Sequence, residues 1–399
     1  MTGSLRLLPR VLRIVGPAFV VSIGYMDPGN WATDIAAGTF GGALLGVVAL
    51  AGALAVVLQI LAVRLGAATR TDLATLIASR WPRSARSFWA IAFGSAIATD
   101  LAEFTGIAIG LHLLFGLALM PSALVAATLL GVFFAIVGRR VRRIEIALMI
   151  AVAIIALAYC LQVFLAKPDW ALIVHQAFAP LPLGRESIVI AVGIVGATVM
   201  PHNLFLHSAL IARRAREGRV DTAELTRTYV LETIVALVAA TFVNAAILVV
   251  GVHLHAPDGS IDEAYSELVR GTSRFAAIVF GSALVVSGFA SATSATLAGD
   301  MIFRGFGFGT LSANARRAIT LLPAVVAVVS GADPNRMLLY SQVVLALALP
   351  VVLVPLVRFT CDPGLMGTFA SSRTLRAAAF GAAAICAIFD LGLLASMRF

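Results

Sequence analysis

Long apolar runs constrain this chain more than any other feature. A helix that crosses a bilayer needs roughly 20 mostly apolar residues. The 399-residue sequence holds eleven such runs, at about 11–38, 41–64, 87–116, 122–138, 144–166, 187–212, 229–252, 275–300, 316–331, 337–357 and 375–397. They are continuous and rich in Ala and Leu, without the alternation that marks an outer-membrane barrel. Hydrophobic residues make up 60% of the chain and charged residues 12%, whereas a soluble chain carries about 25% charge. So few polar side chains cannot cover a water-exposed surface of this size. The absence of long polar tracts also excludes a disordered chain. The sequence therefore predicts an all-α polytopic membrane protein with eleven transmembrane helices, a single transmembrane domain over residues 1–399.

The basic residues report topology rather than nucleic acid. All but Lys167 are arginines, and 23 of the 29 fall in alternate loops, from Arg6, Arg10 and Arg13 to Arg358, Arg373 and Arg376. The other side holds Lys167, Arg185, Arg270, Arg274, Arg336 and Arg398. By the positive-inside rule the N-terminus is cytoplasmic and, after eleven crossings, the C-terminus extracytoplasmic. Arg6, Arg10 and Arg13 precede an apolar stretch that runs into Asp27-Pro28-Gly29-Asn30 rather than a small-residue cleavage site. That stretch reads as a first membrane segment, not a signal peptide. Cys160, Cys361 and Cys386 are odd in number and widely spaced among apolar residues, so they form neither a disulfide framework nor a metal knuckle. The almost lysine-free, Ala-rich composition suggests a GC-rich bacterium and hence its inner membrane. A monomer is expected.

Two runs are interrupted at mid-membrane, the first by Asp27-Pro28-Gly29-Asn30 and the sixth by Met200-Pro201-His202-Asn203. Proline removes a backbone donor and clashes with the preceding turn, so each run should be two half-helices with an unwound joint. The two prolines lie 173 residues apart. Runs 1 and 6 open successive five-segment units, about 11–166 and 187–357, with 375–397 left as an extra helix. Five is odd, so the second unit enters from the opposite side. Broken helices at matching positions of inverted repeats point to a transporter's central site.

An acid at mid-membrane costs roughly 2.5–3.5 kcal/mol on insertion scales. Asp27 bears that cost beside a break that frees backbone carbonyls. Asn30, Met200, His202 and Asn203 lie around the same two joints. A carboxylate, an amide oxygen, a thioether and loose carbonyls together suit a divalent cation of intermediate softness, since sulfur favours later transition metals over calcium or magnesium. Asp100 and Glu103, three apart in the third run, are about 60° apart around a helix and so share a face. Two acids on one face inside a membrane suit a proton acceptor or relay. His202 and His207, five apart, are about 140° apart and cannot readily chelate one metal. Glu232 and Asp390 fit the solvated ends of their segments.

The stretch Gly24-Tyr25-Met26-Asp27-Pro28-Gly29-Asn30-Trp31-Ala32-Thr33-Asp34 resembles the first-segment signature of the Nramp divalent-metal transporters. The stretch from Ala197 to Ser208, with Met200-Pro201-His202-Asn203 inside it, resembles their sixth. Thr99-Asp100-Leu101-Ala102-Glu103 is similar to their third segment, Gln59 through Leu65-Gly66 to their second, and Ser341-Gln342-Val343 with Leu349-Pro350 to their tenth. The match is ordered and spans nearly the whole chain. The resemblance implies a LeuT-like inverted repeat with helices 1 and 6 broken. It also implies proton-coupled import of manganese or iron(II), with cadmium as a further substrate. It makes Asp27, Asn30 and Met200 metal ligands, joined in one conformation or another by the carbonyls of Gly24 and Ala197 and on occlusion by Gln342. Asp100, Glu103, His202 and His207 would line the proton route. No cofactor is implied beyond the transported metal and the coupling proton.

The family pattern is departed from at Ala36, at Phe93, where relatives often carry a glutamate, at Gly288-Phe289-Ala290-Ser291 and at Gly299-Asp300. None of these touches Asp27, Asn30 or Met200, but Phe93 leaves open a metal uniporter with weakened proton coupling. An amino-acid–cation symporter of the same architecture is disfavoured because Asp27 would repel a substrate carboxylate. A membrane enzyme is disfavoured because no nucleophile accompanies the acids and histidines, and no phosphate-binding loop suggests a pump.

Overall fold

The computed structural model describes residues 16–137, 141–182, 184–218, 221–254, 258–308 and 313–396. Residues 11–15 of the first expected segment, and Arg6, Arg10, Arg13, Arg139, Arg140, Arg219 and Arg398 of the topology argument, lie outside the described residues.

Among the described residues the regular structure is helical, with no strand. Helix α1, Pro17–Ser22, tightens into a 3-10 turn, Ile23–Met26, and after Asp27 the chain resumes as α2, Pro28–Gly38. There follow α3 (Leu45–Thr69), α4 (Leu73–Arg80), α5 (Ala85–Phe115), α6 (Leu119–Val137), α7 (Val141–Ala166) and α8 (Trp170–Ala177). The second broken pair is α9 (Arg185–Val199) and α10 (Pro201–Glu217). Then come α11 (Thr222–Leu254), α12 (Ile261–Glu267), α13 (Arg274–Gly305), α14 (Ala313–Val329), α15 (Pro334–Thr360), α16 (Pro363–Met366) and α17 (Arg373–Ser396).

Both breaks fall where the sequence places them. Each half-helix after a break starts on a proline, Pro28 or Pro201, whose missing N–H would be unpaired at a helix start anyway. Eight helical stretches among the described residues are long and apolar enough to cross a membrane, and Pro17–Met26 and Leu119–Phe133 are shorter apolar helices. The chain is a multi-pass membrane protein. Eleven crossings were expected. The first run is divided at Asp27 and begins outside the described residues, the fourth is a short apolar helix, and α14 is a 17-residue helix with Pro323 inside it.

Besides the four-residue α16, three short helices stand where loops were expected. Each is started by a side chain that accepts from an orphan amide: Asp72 from Thr75 N, Asp169 from Leu172 N and Ser260 from Glu263 N. Ser260 and Glu263 have the spacing of a capping box.

The long helices pack in pairs that bring the breaks to the centre. Helix α5 lies along α13, α3 lies along α10 and α11, and α15 packs between α5 and α9. Half-helices α2 and α9 meet each other, and α11 covers α2. Glu232 does not sit at a solvated end as expected. It is 4% exposed, and its carboxylate accepts from Gly16 N at 2.6 Å, at the start of α1. The N-terminal amides of α1 have no partner within the helix, so an acid from α11 supplies one. Asp390, expected to be solvated, is also buried, at 7% exposed.

Candidate metal site at the two helix breaks

The first break exposes the carbonyls that end α1 and the amides that begin α2. Asp27 caps α2: its Oδ1 accepts from Asn30 N at 2.7 Å, while Oδ2 is buried without a partner. The Met26 carbonyl is claimed by Trp31 Nε1 at 3.2 Å and by the Ser287 hydroxyl. The Gly24 carbonyl also lies within reach of Asn30.

Asn30 is the hub. Its Nδ2 lies 2.8 Å from Asp27 Oδ1, 3.1 Å from the Ala197 carbonyl and 3.4 Å from the Gly24 carbonyl. Three oxygens from two broken helices converge on one amide nitrogen that has two protons. On its other side Asn30 Oδ1 accepts from Asn244 Nδ2 at 3.0 Å and from the Thr198 hydroxyl at 3.4 Å. The amide thus turns its nitrogen, not the expected oxygen, to the cluster. A half-turn of the side-chain amide would exchange the two ends. Asn244 has a buried Oδ1 without a partner to receive the displaced NH2.

Met200 is fully buried at the second break, with φ 42° and ψ 101°. That backbone is outside the regions open to a residue with a Cβ. Its sulfur accepts from Asn203 Nδ2 at 3.3 Å, and a Cβ added to Gly24 would lie 3.3 Å from it. The thioether therefore stands beside the same joint as the Gly24 carbonyl. Gln342 on α15 packs across both breaks: a Cβ on Gly29 would lie 1.9 Å from its Nε2, and one on Gly196 would lie 2.0 Å from its carbonyl oxygen. Its Oε1 is buried without a partner.

Asp27, Asn30, Met200, Gly24, Ala197 and Gln342 are thus gathered around one buried point. Among the described residues no group of three or more His, Cys, Asp or Glu side chains could hold a metal. Any cation held here would meet one carboxylate and several neutral donors.

The remaining expected residues sit beside this point. Glu103 on α5 is 1% exposed, with Oε2 unpartnered, and Asp100 and Asp27 both lie within its electrostatic reach. His202 Nδ1 lies 3.1 Å from Thr99 Oγ1, and that hydroxyl donates to the Ser95 carbonyl. His202 Nε2 is buried and unpartnered. His207 Nδ1 donates to Gln59 Oε1 at 2.8 Å, and Gln59 Nε2 donates to the Tyr25 hydroxyl at 2.8 Å. That chain ties segments 1, 2 and 6 together and leaves His207 Nε2 likewise unpartnered.

Phe93 belongs to an aromatic cluster: it stacks on Trp89 at 5.4 Å and meets Phe303 edge-on at 4.9 Å. Asp300 pairs with Arg304 at 2.8 Å. Sequence reasoning missed Asn244 and Thr198 as partners of Asn30. It also gave no role to Asp34, which is 1% exposed on the same helical face as Asp27 and two turns away.

The Nramp family, described as natural resistance-associated macrophage protein-like, matches residues 18–396. The chain belongs to the Nramp family. Among the proteins that it resembles is the divalent metal cation transporter MntH of Caldanaerobacter subterraneus subsp. tengcongensis, 37% identical and covering 92% of this chain and 88% of that protein. The MntH of Deinococcus radiodurans is 39% identical, covering 94% and 87%. The crystal structure of a point mutant of the Eremococcus coleocola manganese transporter superposes with a TM-score of 0.85 at 28% identity, over 98% of this chain and 88% of that one. A nucleobase–cation symport transporter in a closed conformation shares the fold alone, with a TM-score of 0.56 at 15% identity, over 96% and 92%. These neighbours give this Nramp chain the LeuT-like fold expected of it.

Proposed function

We propose that this protein is a secondary transporter that imports divalent transition metal, manganese first, with iron(II) and cadmium as further substrates, coupled to protons. The observation that carries the reading is the convergence of Asp27, Gly24 and Ala197 oxygens on Asn30 Nδ2, with the Met200 sulfur beside them. Three acceptors around one partially positive group are the electrostatic outline of a cation site. In the metal-loaded protein Asn30 turns its oxygen inward, Gln342 closes over the ion, and the cation replaces the NH2. The relatives' printed names, divalent metal cation transporter and manganese transporter, agree with this reading. The deciding experiment is uptake into proteoliposomes of the purified protein, with manganese, magnesium and calcium compared. Saturable manganese entry is expected; equal entry of all three would remove the reading.

Met200 supplies the sulfur, so Met200→Ala should keep part of the manganese uptake, lose much of its cadmium affinity and admit competition by calcium or magnesium. Competition assays with each ion check this. If calcium still fails to compete, charge or geometry is the filter, not sulfur.

Asp100 and Glu103 with His202 form the proton route in this reading, since Glu103, within electrostatic reach of Asp27, has an unpartnered oxygen and His202, two residues after Met200, an unpartnered nitrogen. The aromatic cluster at Phe93 favours a second reading, uptake driven by voltage with little proton movement, because it removes a carboxylate from the same helix. With potential clamped and a pH dye inside the vesicles, manganese addition should acidify the lumen, and Asp100→Asn or Glu103→Gln should weaken that signal. Manganese entry without acidification in the unaltered protein would establish the second reading.

In this reading the arginine bias makes the N-terminus cytoplasmic and the C-terminus extracytoplasmic, and the Arg- and Ala-rich composition supports a bacterial inner membrane. Two inverted repeats are supported by the pairing of matching segments, 2 with 7 and 3 with 8, as α3 with α11 and α5 with α13. Metal, proton and lipid suffice as partners, and the transporting unit is a monomer.

A further inference from the structure

A groove of about 470 Å³ opens between α3 and α11, on the arginine-rich side and away from the metal site. Arg64, Thr226, Arg227, Leu231, Ile234 and Phe369 line it. Arg64 is held in place because its guanidinium donates to the Phe369 carbonyl at 2.8 Å, yet its Nε is buried with no acceptor. Arg227 is exposed and is in no ion pair among the described residues. The nearby acids of the first turn of α11 do not line the groove: Asp221 accepts from Ala223 N, and Glu224 is exposed. Two arginines therefore line a pocket whose walls carry no acid of their own.

The other wall is apolar and continues past the groove. Leu231, Val235, Val238 and Phe242 on α11 are 62%, 55%, 43% and 73% exposed and recur at helical spacing. A free anion has no use for such a stripe. A molecule with a negative head and a long apolar tail matches both halves at once.

We propose that this groove binds one anionic phospholipid, its phosphate between the Arg64 guanidinium and Arg227 and an acyl chain along the Leu231–Phe242 stripe. Basic pockets between transmembrane helices on the positive side of a membrane protein are suited to such headgroups. The bound lipid would bridge α3 to α11 one turn from Glu232, the residue that caps α1.

The test is native mass spectrometry of the full-length protein in detergent, titrated with phosphatidylglycerol or phosphatidylcholine. One phosphatidylglycerol should stay bound under activation that strips phosphatidylcholine. Reversing the charge in Arg227→Glu, or removing it in Arg64→Gln, should weaken lipid binding by about five-fold or more. Arg304→Gln, an exposed arginine paired with Asp300, should leave it unchanged. Arg64→Gln also loses the bond to Phe369. Should that variant not fold, Arg227→Glu and Leu231→Glu, both at exposed positions, decide the matter. Equal retention of the two lipids, undiminished phosphatidylglycerol in Arg227→Glu, or its displacement by millimolar inorganic phosphate would each overturn the proposal.

Discussion

Proteoliposomes carrying Asp27→Ala are expected to take up manganese no faster than empty vesicles, while the protein still expresses and inserts. Asp27 is the only charged group in the cluster at the two breaks, and one of its oxygens is buried without a partner. Loss of a residue that merely orients a metal ligand costs about 10–100-fold in affinity. Removal of the one carboxylate that neutralises a divalent ion should cost at least that. Isothermal titration of the purified variant with manganese separates lost binding from lost movement: the expected result is no heat of binding. Uptake near the unaltered rate would sink the proposed site. Asp27→Asn would then be informative, because it keeps the cap on α2 and removes only the charge.

Gly196→Ala should damage the protein for a different reason. The added methyl would lie 2.0 Å from the Gln342 carbonyl and 2.7 Å from Ala346 N, both of them backbone atoms of α15. Backbone cannot turn aside as a side chain can, so α9 and α15 must separate. Overpacking of a tight interior costs typically about 1–3 kcal/mol, and this contact is at the severe end. A melting temperature in detergent lowered by several degrees, with manganese uptake strongly reduced, is the expected pair of results. Uptake should fall because Gln342 moves away from both breaks. Unchanged melting would mean that the two helices are less closely fixed than their packing indicates.

The two breaks were legible because Asp27-Pro28 and Met200-Pro201 interrupt apolar runs that otherwise admit neither proline nor charge. Gathering Asp27, Asn30 and Met200 needed only that the two joints lie at matching depths. The partners of Asn30 were not legible. Asn244 is one polar residue in a 33-residue helix, and nothing local says which neighbour it faces. Glu232 misled because distance from a segment end is a poor guide to exposure when another helix begins there. The short helices α4, α8 and α12 were missed because apolar periodicity was the guide. Their signal was instead a cap, an Asp or Ser one residue before a few helical turns.

Met200 carries one more consequence. Its φ of 42° and ψ of 101° are unfavourable for any residue other than glycine, and conformations of this kind store about 1–3 kcal/mol. The neighbours that hold it there are Asn203, through its bond to the sulfur, and the Thr99–His202 bond one residue pair along. The compact arrangement is therefore not the relaxed resting shape of the joint but a cocked one. Any swing of α10 against α9 that let Met200 return to ordinary helical angles would run downhill locally. In the proposed transport cycle, release of the ion would draw on energy already held in the chain, and the cycle would have to supply the resetting of the joint.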